Sequence, residues 1–206
     1  MTDRNFTFVD IETTGGSPFF SRIIEVGILR VEKGEIVDTF NRLINPGVAI
    51  PEFITALTGV TGKMVKQAPA FEDVAEDILD LFEDSIFVAH NSNFDYKFMK
   101  TEFERAGLVF ALDTMCTVRL SRVLYPQYKK HNLTALIERF QFVCKNRHRA
   151  FDDAKVLWDF LQRASLDFSG PELEAAIVRT VKKISPKEQR KLAQVLVQEL
   201  EYVEEG

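Results

Sequence analysis

Apolar and polar positions alternate loosely from Phe6 to Glu12, and the run ends in Thr-Thr-Gly-Gly; this predicts a strand followed by a turn. Ile23–Val31 and Glu35–Leu43 are apolar runs joined by Glu32-Lys33-Gly34, which predicts a hairpin. Asn45–Pro69 reads as a connection with a short helical piece. The period then changes to that of a helix. Phe71, Val74, Ala75, Ile78, Leu79 and Phe82 share one face, and Glu72, Asp73, Glu76, Asp77, Asp80 and Glu83 form a solvated face opposite. Ile86–Ala89 predicts a short buried strand, and a fifth strand is expected near Asp113. Helices are predicted over Phe94–Ala106, Cys116–Leu124, Asn132–Phe140 and Ala150–Ala164. Three early strands followed by alternating helices and strands predict an α/β fold, a mixed five-stranded sheet flanked by helices.

The pattern changes again after residue 166. Ser169-Gly170-Pro171 breaks the chain and starts a helix, and Ser185-Pro186-Lys187-Glu188 reads as a capping box opening another. Residues 167–206 are therefore expected to form a helical extension to a domain spanning residues 1–166. Leu192, Val195, Leu196, Leu200 and Val203 make an apolar stripe that needs a surface to cover it. Two coverings are open. One is the chain's own domain or the preceding helix, through Leu173, Ile177 and Val181. The other is a homodimer or a polymerase or repair partner.

Composition narrows the class. Eighteen phenylalanines point to a well-filled core. No apolar run approaches the length of a membrane span and residues 1–9 lack a signal peptide's apolar stretch, so a cytoplasmic, membrane-free protein is expected. Cys116 and Cys144 have neither CxxC nor zinc spacing and read as buried thiols in a reducing compartment. The net charge of −5 does not advertise a nucleic-acid binder.

Three short segments place carboxylates where apolar side chains belong. On a strand, Asp10 and Glu12 project to the same face, roughly 7 Å apart. At helical period Asp95 lies on the core side of its helix, near the N-terminus, where a helix-capping aspartate is an equally open reading. Asp153 falls at the edge of the inner face of the helix opened by Ala150, whereas Asp152 falls with Lys155, Asp159 and Arg163 toward solvent. Such acids are costly unless a cation or dense hydrogen bonding meets them. Hard carboxylates without a cysteine cluster suit Mg²⁺ or Mn²⁺, and several acids around two such ions are an apparatus for attack of water on a phosphodiester. His148 lies in a basic loop, where a lone histidine is ordinarily just exposed; one loop ahead of Asp153 it could also swing over a metal site as a base.

Asp-Ile-Glu-Thr-Thr-Gly at 10–15, His-Asn-Ser-Asn-Phe-Asp at 90–95 and His-Arg-Ala-Phe-Asp-Asp-Ala at 148–154 resemble, in that order, the motifs of the DEDDh, or DnaQ-like, 3′–5′ exonucleases. The likeness runs from about Phe6 to Ser165, and Leu57-Thr58-Gly59-Val60-Thr61 resembles a loop of the polymerase-associated branch. It implies a ribonuclease H-like fold and release of nucleoside 5′-monophosphates with two Mg²⁺ or Mn²⁺ ions. Asp10, Glu12, Asp95 and Asp153 would be the metal ligands and His148 the general base. Thr13, Thr14, Gly15, His90, Asn91 and Phe94 would meet the terminal nucleotide. The loops around Lys130 and Arg149 lie close in sequence to the third motif and read as phosphate contacts to a single-stranded 3′ end. DNA and RNA remain open as substrates, as does a subunit in which docking outweighs catalysis.

Overall fold

The computed structural model describes residues 4–190 and 192–194. Three strands come first: β1 (Phe6–Thr13), β2 (Ile23–Glu32) and β3 (Glu35–Leu43), paired antiparallel as an up-and-down sheet. Two short helices follow, α1 (Glu52–Thr58) and α2 (Gly62–Val65). The amphipathic stretch predicted as one helix over 71–82 divides into a 3₁₀ turn at Glu72–Val74 and α3 (Ala75–Asp80). The Asp73 carboxylate accepts from the Ala70 amide at 2.8 Å, closing a tight first turn of the kind common at helix N-termini.

The second half alternates. β4 (Ile86–Ala89) leads to α4 (Asn93–Arg105), and β5 (Thr114–Cys116) leads to α5 (Thr117–Leu124). Then come α6 (Leu133–Phe140), the long α7 (Ala150–Asp167), α8 (Gly170–Thr180) and β6 (Val181–Lys182). The sheet order is β3-β2-β1-β4-β5-β6, with β4 and β5 parallel to β1 and its neighbour respectively.

Residue alternation along β1 divides the core. Phe6 and Phe8 pack with Trp158, Leu157 and Leu161 of α7 on one face. Val9 and Ile11 pack with Ile78, Phe98, Phe103 and Phe110 on the other. The phenylalanine-rich composition is spent here: Phe82, Phe87, Phe103 and Phe110 are buried in one aromatic cluster on that second face.

The sheet has six strands where the hydrophobic pattern predicts five. The sixth is two residues long, too short to leave a periodic signature, and it comes from beyond residue 166: Val181 and Lys182 pair antiparallel with Met115 and Thr114. The break at Ser169-Gly170-Pro171 does open a helix, as expected. That helix is built into the domain, because Leu173, Ala176 and Ile177 are buried in the same cluster as Phe6 and Trp158. Residues 170–182 thus fold back on the chain's own core. The capping box at Ser185 forms, with the Ser185 amide and hydroxyl both donating to Glu188. Val195, Leu196, Leu200 and Val203 lie outside the described residues.

Helix α7 sits unusually close to the sheet. A Cβ on Gly27 of β2 would lie 2.3 Å from the Ala150 carbonyl carbon and 2.3 Å from the Phe151 amide nitrogen. Both are backbone atoms, which cannot swing aside. Gly27 therefore sets the height of the helix over the strand pair, and Asp10 is its register partner on β1. Gly27→Ala should lift or tilt α7, with a loss of about 3 kcal/mol, at the upper end of overpacking costs. Urea unfolding of the variant, read by circular dichroism, checks this; an unchanged midpoint would contradict the contact.

Candidate metal centre

The site is the place where β1 outruns its apolar neighbours. Phe6 and Phe8 fill the α7 side, and the same face continues as Asp10 and Glu12. The first turn of α7 lies above them because Gly27 admits it, and this brings in Asp153, which is 3% exposed. Asp95 enters from the first turn of α4, also buried. The backbone amides of Asp95 itself and of Ile11 partly oppose the effect of burial on its carboxyl, and it does not cap α4: the N-cap position is Ser92, with no side-chain cap bond.

The four carboxylates act on one another. Burial pushes the Asp10 carboxyl well above its ordinary range, and the charges of Asp95, Asp153 and Glu12 push it further; Arg147 opposes them. Glu12 is pushed up to about 8, first by burial and then by Asp153 and Glu25. Burial raises Asp95 to about 7. Oxygens of Glu12 and Asp153 and a ring nitrogen of His148 all lie within 4.8 Å of one another. The carboxylates offer hard oxygen donors that fit Mg²⁺ or Mn²⁺, and the imidazole stands beside them.

Asp153 is also bound from its own loop. The Arg147 guanidinium pairs with Oδ2, the His148 amide donates to the same oxygen at 3.2 Å, and the Cys144 thiol donates to Oδ1 at 3.5 Å. Burial and the Asp153 charge push that thiol up to about 11. His148 sits at φ +61°, a left-handed conformation that a non-glycine residue holds only when its surroundings fix it. Asp152 points outward as predicted, yet it is engaged: Oδ2 accepts from the Asn146 amide at 3.1 Å and from Asn146 Nδ2 at 2.8 Å. It ties down the loop that carries His148.

The remaining predicted residues divide. Thr13, Thr14 and Gly15 form the turn beyond β1. Thr13 Oγ1 donates to the Gly15 carbonyl, and Thr14 exchanges bonds with Arg22. His90 lies against the site. Its Nδ1 is 2.9 Å from Thr117 Oγ1, its Nε2 is buried without a partner, and burial, then the Arg147 charge, push it down to about 4, so the ring is neutral. Asn91 is exposed at φ +71°, and Phe94 leans on Phe98 with ring centroids 4.9 Å apart. Lys130 is exposed on the loop between α5 and α6. Arg149 is already occupied: its guanidinium makes bonds of 2.6 and 3.0 Å to Glu25.

Pattern reading missed that pair. Glu25 is 1% exposed, stands opposite Glu12 in the β1–β2 register, and also accepts from the Ala150 amide at the start of α7. Its signal was visible, since an acid inside the apolar run Ile23–Val31 is as anomalous as Asp10. Glu102 was missed in the same way. It lies buried on α4 between Arg22 and Arg105, and Arg105 also donates to the carbonyls of Pro18 and Phe19. Together these bonds anchor the turn beyond β1 to α4.

The RNase_T exonuclease family model matches residues 7–161. A PolC-type DNA polymerase III of Caldanaerobacter subterraneus is 41% identical over 150 residues, covering 73% of this chain and 11% of that protein. The 3′-5′ exonuclease DinG of Bacillus subtilis is 39% identical over 158 residues, 76% of this chain and 17% of its own length. The chain thus spans less than a fifth of either relative. Among solved structures, the nuclease domain of 3′hExo, a DEDDh family member bound to rAMP, superimposes with a TM-score of 0.70 at 23% identity, covering 88% of this chain and 97% of that one. That likeness carries the fold, and the family match together with the two relatives carries membership: this chain belongs to the RNase_T family of exonucleases.

Proposed function

We propose that this protein is a metal-dependent 3′–5′ exonuclease that removes nucleoside 5′-monophosphates from single-stranded DNA ends, in proofreading or repair. The observation that carries this is the convergence of Asp10, Glu12, Asp95 and Asp153 at one buried point beside His148. DNA is favoured over RNA because the relative at 41% identity is a DNA polymerase.

Asp10, Glu12, Asp95 and Asp153 would hold two divalent ions. When bound, those ions would neutralise the clustered acids and stabilise charge on the reacting phosphate. The chain's own residues do the rest. The turn at Thr13–Gly15 and the His90–Asn91 corner border the space for the terminal nucleotide. His148 takes a proton from the attacking water through its imidazole. The water oxygen bonds to phosphorus, the bond to the preceding 3′ oxygen breaks, and that oxygen is protonated from solvent. Arg147 holds Asp153 through its guanidinium, and a bound ion would compete with it for that carboxylate.

Digestion of 5′-labelled single-stranded DNA and RNA of equal sequence, with Mg²⁺, Mn²⁺ or chelator, tests the reading. A metal-dependent ladder shortening from the 3′ end is expected, with DNA preferred. Asp10→Ala should slow it by several orders of magnitude, and near-normal hydrolysis by that variant would sink the assignment.

His148→Ala should reduce the rate by about 10²–10⁴-fold, the usual contribution of a general base. Its metal affinity, measured by calorimetry, should stay close to wild type. The wild-type pH–rate profile should contain an inflection that the variant lacks; if both profiles coincide, the base lies elsewhere.

The metal-free protein should also respond to pH. Glu12 and Asp95 are raised in the folded state above ordinary carboxylate values near 4. Between about pH 4 and pH 8 the folded chain therefore holds more protons than the unfolded one. Stability from these groups is full at the acid end of that window and is lost as pH rises through 7 and 8. Thermal melts in chelator should fall from about pH 5 to about pH 8, and added Mn²⁺ should restore the loss. A melting temperature that climbs over the same range in chelator would refute the buried, mutually repelling cluster.

A further inference from the structure

An open groove of about 570 Å³ starts at the Asn91–Asn93 turn, just ahead of Asp95, and passes Cys116 toward the sheet edge at Lys182. Its walls come from α4, α5 and the β5–β6 edge. Arg119 and Arg122 project from α5, and Arg179 and Lys182 from the end of α8 and from β6; a smaller adjoining hollow joins Arg179 to the two α5 arginines. All four are exposed, and among the described residues none of them forms an ion pair.

The acids nearby are already taken. Asp113 pairs with Lys183 at 2.6 Å and accepts from the Ile184 amide. Glu188 pairs with Lys100 and caps the helix at Ser185. In a chain of net charge −5, four uncompensated cations, three along the groove and Arg179 in the adjoining hollow, are a local reversal of sign. Like charges brought together in this way repel unless an anion lies between them.

We infer that this groove is the track for the phosphates of a nucleic-acid single strand upstream of the nucleotide being removed. The inference rests on the exonuclease reading and adds to it. It replaces Arg149, which is held by Glu25, as the principal phosphate-binding cation. The shape supports a linear polyanion, because the groove is open and one end lies at the β4–α4 corner beside the carboxylates. Tyr96 stands in its wall with its hydroxyl fixed by the Leu112 amide at 3.1 Å. The family motifs could not have announced it, since the four cations lie outside all three.

The test separates binding from chemistry. Fluorescein-labelled oligothymidylates of about three and about twelve nucleotides are titrated by anisotropy in chelator, at several salt concentrations. The proteins are wild type, Arg119→Ala/Arg122→Ala, and Lys33→Ala/Arg42→Ala, which removes the same charge at the opposite edge of the sheet. Each phosphate contact to a single strand contributes about 0.7 to the slope of log affinity against log salt. The groove variant should therefore lose about 1.4 from that slope on the longer strand. Between about 200 and about 50 mM salt, the wild type should gain about sevenfold more affinity than the variant does. The opposite-edge control should match wild type. An unchanged slope in the groove variant, or an equal loss in the control, overturns the track. Hydrolysis of the same strands by wild type in Mg²⁺ is scored separately. If the wild type cleaves while the slopes coincide, the groove fails and the nuclease reading stands; if no protein cleaves in any metal, the nuclease reading fails, and the track with it.

Discussion

The site depends on a backbone contact. Helix α7 rests on β2 at Gly27 with no side chain between them, and Glu25 holds the helix start through Arg149 and the Ala150 amide. This clamp fixes both the height and the rotation of the first turn. Asp153 is one turn along that helix, so its place above Asp10 and Glu12 follows from the clamp. A methyl group at residue 27 would shift Asp153 relative to Asp10 and Glu12, although it touches none of the three. Glu25 is partly a structural acid, bound by Arg149, and partly an electrostatic one, because its charge raises its register partner Glu12.

The second organising force is repulsion. Asp10, Glu12 and Asp95 are all harder to ionise than free carboxylates, chiefly through burial and also, for Asp10 and Glu12, through one another. Arg147 supplies the nearest positive charge, and it pairs with Asp153 from the loop that also carries His148. Arg147 and the His148 amide bind the same Asp153 oxygen, so carboxylate and loop are tied together, and Asp152 fastens the loop a second time through Asn146.

Much of this was legible from the chain. Asp10, Glu12, Asp95 and Asp153 stood out because each broke an apolar face, and strand or helix period said which way each pointed. The strands and helices followed from the same periodicity. What escaped had no period to betray it. β6 is two residues long, and its partner strand lies some 65 positions earlier, so only tertiary pairing makes it a strand. Arg149 looked like a free cation in a basic loop because its partner is 124 residues distant. Asp152 faced solvent correctly, but helical phase says nothing about a loop folding back to meet it. The groove cations were invisible because α5, α8 and β6 converge only in three dimensions.

The two margins of the sheet are unlike, and the difference bears on how the protein stays in solution. β3 leaves one long margin of nine residues, most of them exposed, with unpaired backbone groups that another chain could extend into an aggregate. Ile36 and Val37 are exposed on it, 44% and 52%. Glu35, Asp38 and Arg42 interrupt it with charge, and the irregularity between Arg30 and Val31 of its partner twists the pairing. The other margin needs no such defence. β6 covers β5 with two residues and then turns away, and the chain leaves it as lysine on lysine, Lys182 and Lys183. A stranger's strand would find nothing there long enough to pair with. Neutralising Glu35 or Asp38 would thus open β3 alone to self-association, and crowded conditions would be where that weakness first appeared.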